Sequence, residues 1–274
     1  MTTPAGERPN PEFDPEALQS WLDLLRKTIA RYFRLEVIGA ENIPEGRVMI
    51  VGCHSGVLPY DAGCTLVAIE QETGRLGHAV GDWIFGRWKP VERFLRRIGA
   101  IVGERTETAA LLRNDEIMLV FPGGADDMTR PIWRDPYRVL PHKGFAKGNG
   151  GYIKIALETG TPIVPLAVVG AEEIHMMIWD FWPLARLLGW PYFPILGSLV
   201  PLPAKLYVRF GPAIDLGHGP EAARDQAIVN KLNVKVRREL QDLIDETRSR
   251  RRGIFWSTYA NGRSRPDNPA RRRG

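Results

Sequence analysis

Within VMIVGCHSGVLPYDAGCTLVAIE, residues 48–70, two residues have the types and spacing for proton transfer: His54 and Asp61, with six residues between them. A neutral imidazole can take a proton from a hydroxyl group. A carboxylate on its other ring nitrogen fixes the tautomer and steadies the imidazolium that forms. The surrounding pattern predicts how the two meet: residues 48–53 read as a short buried strand, Gly56 to Pro59 as a turn, and a helix begins at or just after Asp61. The histidine then stands at the carboxyl end of a strand with a carboxylate on the next helical turn, where open α/β sheets build their sites. The pair alone also admits a structural reading, with Asp61 as a helix N-cap and His54 as a hydrogen-bonded core histidine. No serine stands in a G-x-S-x-G setting, and Ser55 is too close along the chain to serve as the nucleophile of His54. A base without a nucleophile of its own directs attention to a hydroxyl on the substrate, and so to direct transfer onto an alcohol.

The elements that must position this pair follow from periodicity and punctuation. Asp14-Pro15 predicts an N-cap and first helical residue, and Leu18, Trp21, Leu22, Leu25, Ile29 and Tyr32 recur at helical spacing, with Arg26, Lys27, Arg31 and Arg34 on other faces or ends. Residues before this helix, up to Glu12, read as a disordered leader. Beyond the helix that ends near Gly74, a Trp- and Gly-rich loop leads to a basic helix at 91–98, a strand at 100–102, a helix around 109–112 and a strand at 117–121 ending in Pro122-Gly123-Gly124. Residues 126–151 read as a loop carrying Arg130, Arg134, Arg138, His142, Lys143 and Lys147. A helix at 152–159 closed by Gly160 and the strand PIVPLAVVG follow. Residues 176–200 are the most apolar part of the chain, but Asp180, Pro183, Arg186, Pro191 and Pro194 interrupt them, which suits a hydrophobic hairpin or re-entrant patch better than a membrane span. A strand at 205–210 and a long helix over 220–247 complete the order, the latter with Ile228, Leu232, Val236, Leu240 and Ile244 on one core-facing stripe. Strands alternating with helices predict a single α/β domain with a mostly parallel central sheet flanked by helices, plus a hydrophobic membrane-contact segment.

Composition narrows the partners. The chain has 274 residues, 44% apolar and 25% charged, a length that buries one large core. Its net charge of +5 and pI near 9.3 favour an anionic partner: a phosphate group, an acidic lipid surface or a nucleic acid. Cys53 and Cys64 lack metal-ligand spacing and read as reduced core residues of an intracellular protein. The polar, Pro-rich start carries no secretory signal, and no run of about 18 apolar residues occurs. Arg250, Arg251 and Arg252 beside Phe255 and Trp256 fit a contact with anionic lipid as well as a solvated tail.

Four blocks in order, CHSGVLPYD, GAIVGER, FPGG and IVPLAVVG, give the chain a resemblance over roughly residues 38–215 to the glycerolipid acyltransferase superfamily typified by lysophosphatidic acid acyltransferases. The resemblance implies that His54 is the general base on the acceptor hydroxyl and Asp61 its orienting partner. It implies that Arg105 meets a phosphate of the acceptor, that Phe121, Pro122, Gly123 and Gly124 line the acceptor pocket, and that Pro165 shapes the floor near the thioester. No metal or cofactor is implied; acyl-CoA or acyl carrier protein is the co-substrate, and Arg130, Arg134, Lys143 and Lys147 are candidates for CoA phosphates. The pattern also departs from the family. Six residues rather than the common four separate His54 from Asp61, as in the branch resembling diacylglycerol acyltransferases, Gly123 replaces a glutamate, and Asp126 stands where an arginine often follows. Asp126 and Asp127 would repel a phosphomonoester, which leaves a neutral glyceride, another lipid alcohol or a lysophospholipid as acceptor.

The resulting expectation divides the chain into a leader and amphipathic helix (1–34), an acyltransferase domain (35–250) and a basic flexible tail (251–274). It makes the protein a membrane-associated O-acyltransferase, peripheral or monotopic on the cytoplasmic face, with an acyl thioester, a lipid acceptor and a membrane surface as partners and no nucleic acid. Two alternatives share the fold: a noncatalytic lipid-binding protein, and a lipid hydrolase that uses the same dyad to activate water.

Overall fold

The computed structural model describes residues 10–81, 86–102, 105–131, 133–190, 192–251 and 253–254. Helix α1 (Pro15–Leu25) starts where the Asp14 carboxylate accepts from the amides of Glu16 and Ala17, both at 3.1 Å, and it buries Leu18 and Leu22. The chain is already anchored at Asn10, which is buried and donates its side-chain amide to the carbonyl of Arg96 at 2.9 Å, so the expected leader is shorter than Glu12.

Strands β1 (Glu36–Ile38) and β2 (Val48–Gly52) precede α2 (Tyr60–Thr73), which Gly74 closes in the left-handed conformation. Next come β3 (Gly77–Gly81), α3 (Lys89–Arg97), β4 (Ile101–Val102), α4 (Arg105–Arg113), β5 (Ile117–Val120), α5 (Ala125–Met128), α6 (Gly151–Thr159) and β6 (Ile163–Val169). The second half holds α7 (Glu172–His175), β7 (Met177–Asp180), α8 (Trp182–Leu188), β8 (Pro194–Leu196), β9 (Tyr207–Phe210) and α9 (Gln226–Arg250).

Among the described residues a seven-stranded sheet runs in the order β1-β9-β6-β2-β5-β3-β4, parallel throughout except where β9 pairs antiparallel with β6. β2 lies at its centre and is buried on both faces, which is why it reads as an unbroken apolar run. Met49, Val51 and Cys53 pack toward the α4, α6 and α9 side, while Val48 and Ile50 pack toward α1 and α2. Residues 176–200 form the expected hairpin: β7 and β8 pair antiparallel and carry α8 between them. Among the described residues no helix is long and apolar enough to cross a membrane.

Two expectations change at the carboxyl end of the chain. The helix expected over 220–247 is divided, because Asp225 caps a fresh start by accepting from the amides of Ala227 and Ile228, after a 3₁₀ turn at Pro220–Arg224. The tail is held in place at its root: Arg250 pairs with Glu246, and the buried guanidinium of Arg251 donates to Glu173 at 2.6 Å and to the Tyr137 hydroxyl at 3.2 Å. The carbonyl of Ile254 accepts from Lys205 at 3.1 Å. Arg251 is therefore committed to the protein rather than offered to lipid; Arg252, Phe255 and Trp256 lie outside the described residues.

Candidate active site

His54 leaves the end of β2 and Asp61 enters on the first turn of α2. The Nδ1 atom of His54 lies 2.8 Å from Asp61 Oδ2, which also accepts from the backbone amide of Ser55 at 2.9 Å. Asp61 is fully buried, whereas His54 keeps 14% of its side-chain surface open. A carboxylate held by a backbone donor fixes the face of the imidazole that meets it, so Nδ1 is the ring nitrogen committed to Asp61. The turn between them is tight: Gly56 has φ of 82°, and a Cβ there would meet the Ala171 carbonyl oxygen at 2.5 Å. Asp61 does sit near the helix start, but its carboxylate serves the histidine as well as the local amides.

The FPGG stretch arrives beside the dyad from β5. The register pairs Val51 with Val120, so Phe121 leaves β5 next to Gly52 at the end of β2, and a turn closed by the Gly124 amide on the Phe121 carbonyl follows. The Phe121 ring stacks on the imidazole with centroids 4.0 Å apart and planes 15° apart. Gly52 makes room for it, since a Cβ at that position would stand 2.8 Å from the Phe121 ring.

Behind this stack lies a second buried carboxylate. Asp127 accepts from the Cys53 thiol at 3.1 Å and from Arg130, whose side chain is only 7% exposed. Arg130 also donates to the carbonyls of Pro136 and Arg138. His142 Nε2 lies 3.1 Å from Asp127 without the alignment of a hydrogen bond. Two expectations are corrected here. Arg130 is enclosed in an internal ion pair and does not present itself to CoA phosphates, and Asp127 is a neutralised internal group rather than a free charge repelling an anionic acceptor. Asp126 is half exposed, 3.6 Å from Lys143.

The remaining predicted residues divide. Arg134, Lys143 and Lys147 are exposed on the loop following α5. Arg105 opens α4, half exposed, and donates to Glu158 of α6 at 3.0 Å, a pair separate from the dyad. Pro165 lies opposite Val51, three residues short of His54 and so about 10 Å toward the amino end of the sheet. It is buried against Gly211, where a Cβ would come within 2.8 Å of its ring. Beyond Pro165, strand β6 continues to Val169, with Leu166 opposite Gly52.

Tyr192, in the apolar segment, was not singled out from sequence. Its hydroxyl donates to the Val57 carbonyl in the turn after His54 at 2.9 Å and lies 3.8 Å from the Met128 sulfur. Burial, then the charges of Asp61 and Asp180, push its pKa up to about 12, so it stays a donor. Its chemical signal was a tyrosine inside a strongly apolar run, which needs a partner for its hydroxyl when half-buried. Much of that run faces outward: Trp179, Phe181, Trp182, Leu187, Leu188 and Leu199 are exposed, while Met177 and Ala185 are buried. Trp88 and Trp133 join this face through ring pairs with Trp190 and Trp179, at centroid distances of 6.1 and 6.2 Å.

Known proteins align with this arrangement. A family model described as Acyltransferase matches residues 34–169, the span that holds the dyad, Arg105 and the FPGG stretch. The chain is 34% identical over 246 residues to an uncharacterized protein of Mycobacterium tuberculosis, covering 85% of this chain and 67% of that one. A mouse protein, the DGAT1/2-independent enzyme synthesizing storage lipids, is 25% identical over 245 residues, covering 82% of this chain and 66% of its own. The crystal structure of the 1-acyl-sn-glycerophosphate acyltransferase PlsC from Thermotoga maritima superposes with a TM-score of 0.56 at 19% identity, over 89% of this chain and 84% of that one, and so shares the fold. The family match across the dyad, together with relatedness across most of the chain, places this protein in the acyltransferase family.

Proposed function

We propose that this acyltransferase moves a fatty acyl group from a thioester, acyl-CoA or acyl carrier protein, to the hydroxyl of a glycerolipid or other lipid alcohol, with His54 as general base oriented by Asp61. The observation that carries this reading is the 2.8 Å contact between His54 Nδ1 and the buried Asp61 carboxylate. Nε2 removes the acceptor hydroxyl proton as the oxygen attacks the thioester carbonyl. The C–O bond forms, the carbonyl becomes an oxyanion, and its collapse breaks the C–S bond. The departing thiolate takes the proton back from the imidazolium, leaving an ester, a thiol and a neutral His54. No covalent acyl-enzyme is needed, in keeping with the absence of a nucleophile in the G-x-S-x-G setting.

A lipid acceptor fits the mouse relative, named for storage-lipid synthesis, and the shared fold with PlsC. Arg105, Arg134, Lys143 and Lys147 are exposed cations for phosphates of donor or acceptor; Arg105 would have to exchange Glu158 for a phosphate, an accessible exchange for a half-exposed pair. The aromatic face of residues 176–200 with Trp88 and Trp133 suits peripheral or monotopic attachment at the cytoplasmic surface, because apolar patches of this kind rarely face water and tryptophan favours the lipid–water boundary. Purified protein incubated with acyl-CoA and a panel of lysophospholipids, diacylglycerol and long-chain alcohols should form ester from at least one acceptor. Ester formation that persists at full rate in His54→Ala and Asp61→Asn sinks the mechanism, and free fatty acid produced equally with and without acceptor would identify a hydrolase.

A further inference from the structure

The proposed acyl transfer uses Asp61 but has no step for Asp127, although Asp127 is also buried and accepts from Cys53, the residue before His54. Its position is coupled to a glycine. A Cβ built on Gly123 would stand 1.8 Å from Asp127 Oδ2 and 2.3 Å from its carboxyl carbon. The two positions therefore compete for one volume: the carboxylate of residue 127 occupies the side-chain space of residue 123, beside Cys53 at the end of β2. From there its two oxygens take different partners. Oδ2 accepts from the thiol of Cys53, the residue immediately before His54, and Oδ1 accepts from Arg130. Burial and then the Asp127 charge raise the Cys53 pKa, so the thiol remains a hydrogen donor. Arg130 carries the network onward to the carbonyls of Pro136 and Arg138 and lies 3.6 Å from the Cys53 sulfur.

We propose that Asp127 is a positioning residue of the acyl-transfer site: its carboxylate, delivered into the space that Gly123 leaves open, ties Cys53 and Arg130 together and so fixes the end of β2 and the Phe121 stack around His54. The inference rests on the reading of His54 as the base. A buried ion pair is weak support for stability, because apolar residues of similar volume often replace one without loss. Its value lies in geometry: a carboxylate with two lone-pair-bearing oxygens can hold a strand end and a loop in one fixed relation, which an apolar contact does not specify. The resemblance makes the coupling testable, since a glutamate stands at the position of Gly123 in the related pattern. A carboxylate could then reach the same volume from either position.

The test uses the full chain, acyl-CoA and the acceptor that gives the highest rate. Asp127→Asn is expected to lower kcat about 10- to 100-fold while KM for acyl-CoA stays within about two-fold. Asp127→Gly and Gly123→Glu should each be impaired, the second because two carboxylates would share one space, and the double variant Gly123→Glu/Asp127→Gly should recover to within about ten-fold of native kcat. Because Asp127→Asn leaves the enclosed Arg130 charge without its counter-ion and could unfold the protein, Asp127→Leu/Arg130→Met removes both charges together; circular dichroism checks its fold, and its kcat is expected to fall as far as that of Asp127→Asn. The His54 ring resonance, followed by NMR, supplies a readout independent of turnover. It should move in the charge-free variant, while His78 and His218 stay in place. Native kcat in Asp127→Leu/Arg130→Met, or an unmoved His54 resonance, overturns the proposal. Absence of acyl transfer by the native protein would count against the base assignment instead, and the resonance would still decide the role of Asp127.

Discussion

The two ends of the sheet treat a histidine in opposite ways. His54, beyond the carboxyl end of β2, faces a buried carboxylate at 2.8 Å that a backbone amide holds still. His78, on β3, is level with Met49 through Met118 in the strand register, about 17 Å toward the amino end along the strand direction. Only 2% of it is exposed. Its Nδ1 lies 2.9 Å from the Gly99 carbonyl, the Phe13 ring packs edge-on against it, and its nearest carboxylate, Glu116, is 3.9 Å from Nε2. Burial pushes its pKa down despite the carbonyl and Glu116. Both histidines have an acidic neighbour, so proximity of a carboxylate is not what separates them. The difference is a short aligned contact to a locked carboxylate, combined with access to the outside. The surroundings diverge as well: the carboxyl end adjoins the aromatic face, while His78 borders a cavity of about 350 Å³ lined by Arg75, Asn114 and Glu116.

The sharpest way to break this contrast is to remove the base. His54→Ala and Asp61→Asn should each lower kcat on the order of 10³- to 10⁴-fold, with the circular dichroism spectrum retained. Rates within ten-fold of native would make the carboxyl end no more catalytic than the amino end. The next largest effect concerns the aromatic face. Leu187 and Leu199 are 81% and 86% exposed, and replacing both with glutamate should weaken sedimentation with mixed zwitterionic and anionic vesicles about 100-fold, each residue contributing roughly 1.4 kcal/mol of lost apolar burial. Unchanged sedimentation would remove this face from the membrane account.

Much of this arrangement was legible before any coordinates. The strand, turn and helix around His54 follow from an apolar run, Gly56 and a helical pattern, all local signals. The hairpin in residues 176–200 followed from prolines and charges interrupting an apolar stretch. β1 and β3 were not read as strands, because EVI and GHAVG lack the unbroken apolar run of β2 and β5 and gain their order from neighbours contributed by distant sequence. The same limit hid the partners of Arg130. Asp127 is only three residues from Arg130, but the pair looks solvated in sequence until the fold brings Cys53 against both of them. The strand carrying Pro165 was recognised as a block, but its partner could not be read, because pairing of Pro165 with Val51 depends on register with β2.

A smaller effect tests how the aromatic face reaches the dyad. Tyr192 bonds the Val57 carbonyl, and Tyr60, beside Asp61, lies 3.3 Å from His175, whose Nδ1 is 3.0 Å from the Ser198 carbonyl. The hairpin therefore reaches the His54–Asp61 turn through Tyr192 directly and through His175 and Tyr60. Tyr192→Phe removes one hydrogen bond of about 0.5–1.5 kcal/mol, and kcat should fall about 2- to 10-fold with vesicle binding unaltered. A loss of binding instead of rate would assign Tyr192 to the surface rather than to the turn.

The smallest effect on activity is expected at His78, and there the signature is in stability. His78→Gln should keep kcat within about two-fold of native. The folded protein favours the neutral ring, so its pKa lies below the ordinary 6.5. Well above pH 6.5 both folded and unfolded chains hold the ring neutral, and no pH-linked cost arises. As the pH falls through 6.5 toward the folded value, the unfolded chain binds a proton that the folded chain refuses, and stability is lost. Glutamine carries no such proton. Native Tm should therefore exceed that of His78→Gln at about pH 8, where the native contacts of the ring count fully, and the gap should shrink by about pH 5. A gap independent of pH would show that His78 is not held neutral, and a rate loss beyond ten-fold would carry function to the amino end of the sheet.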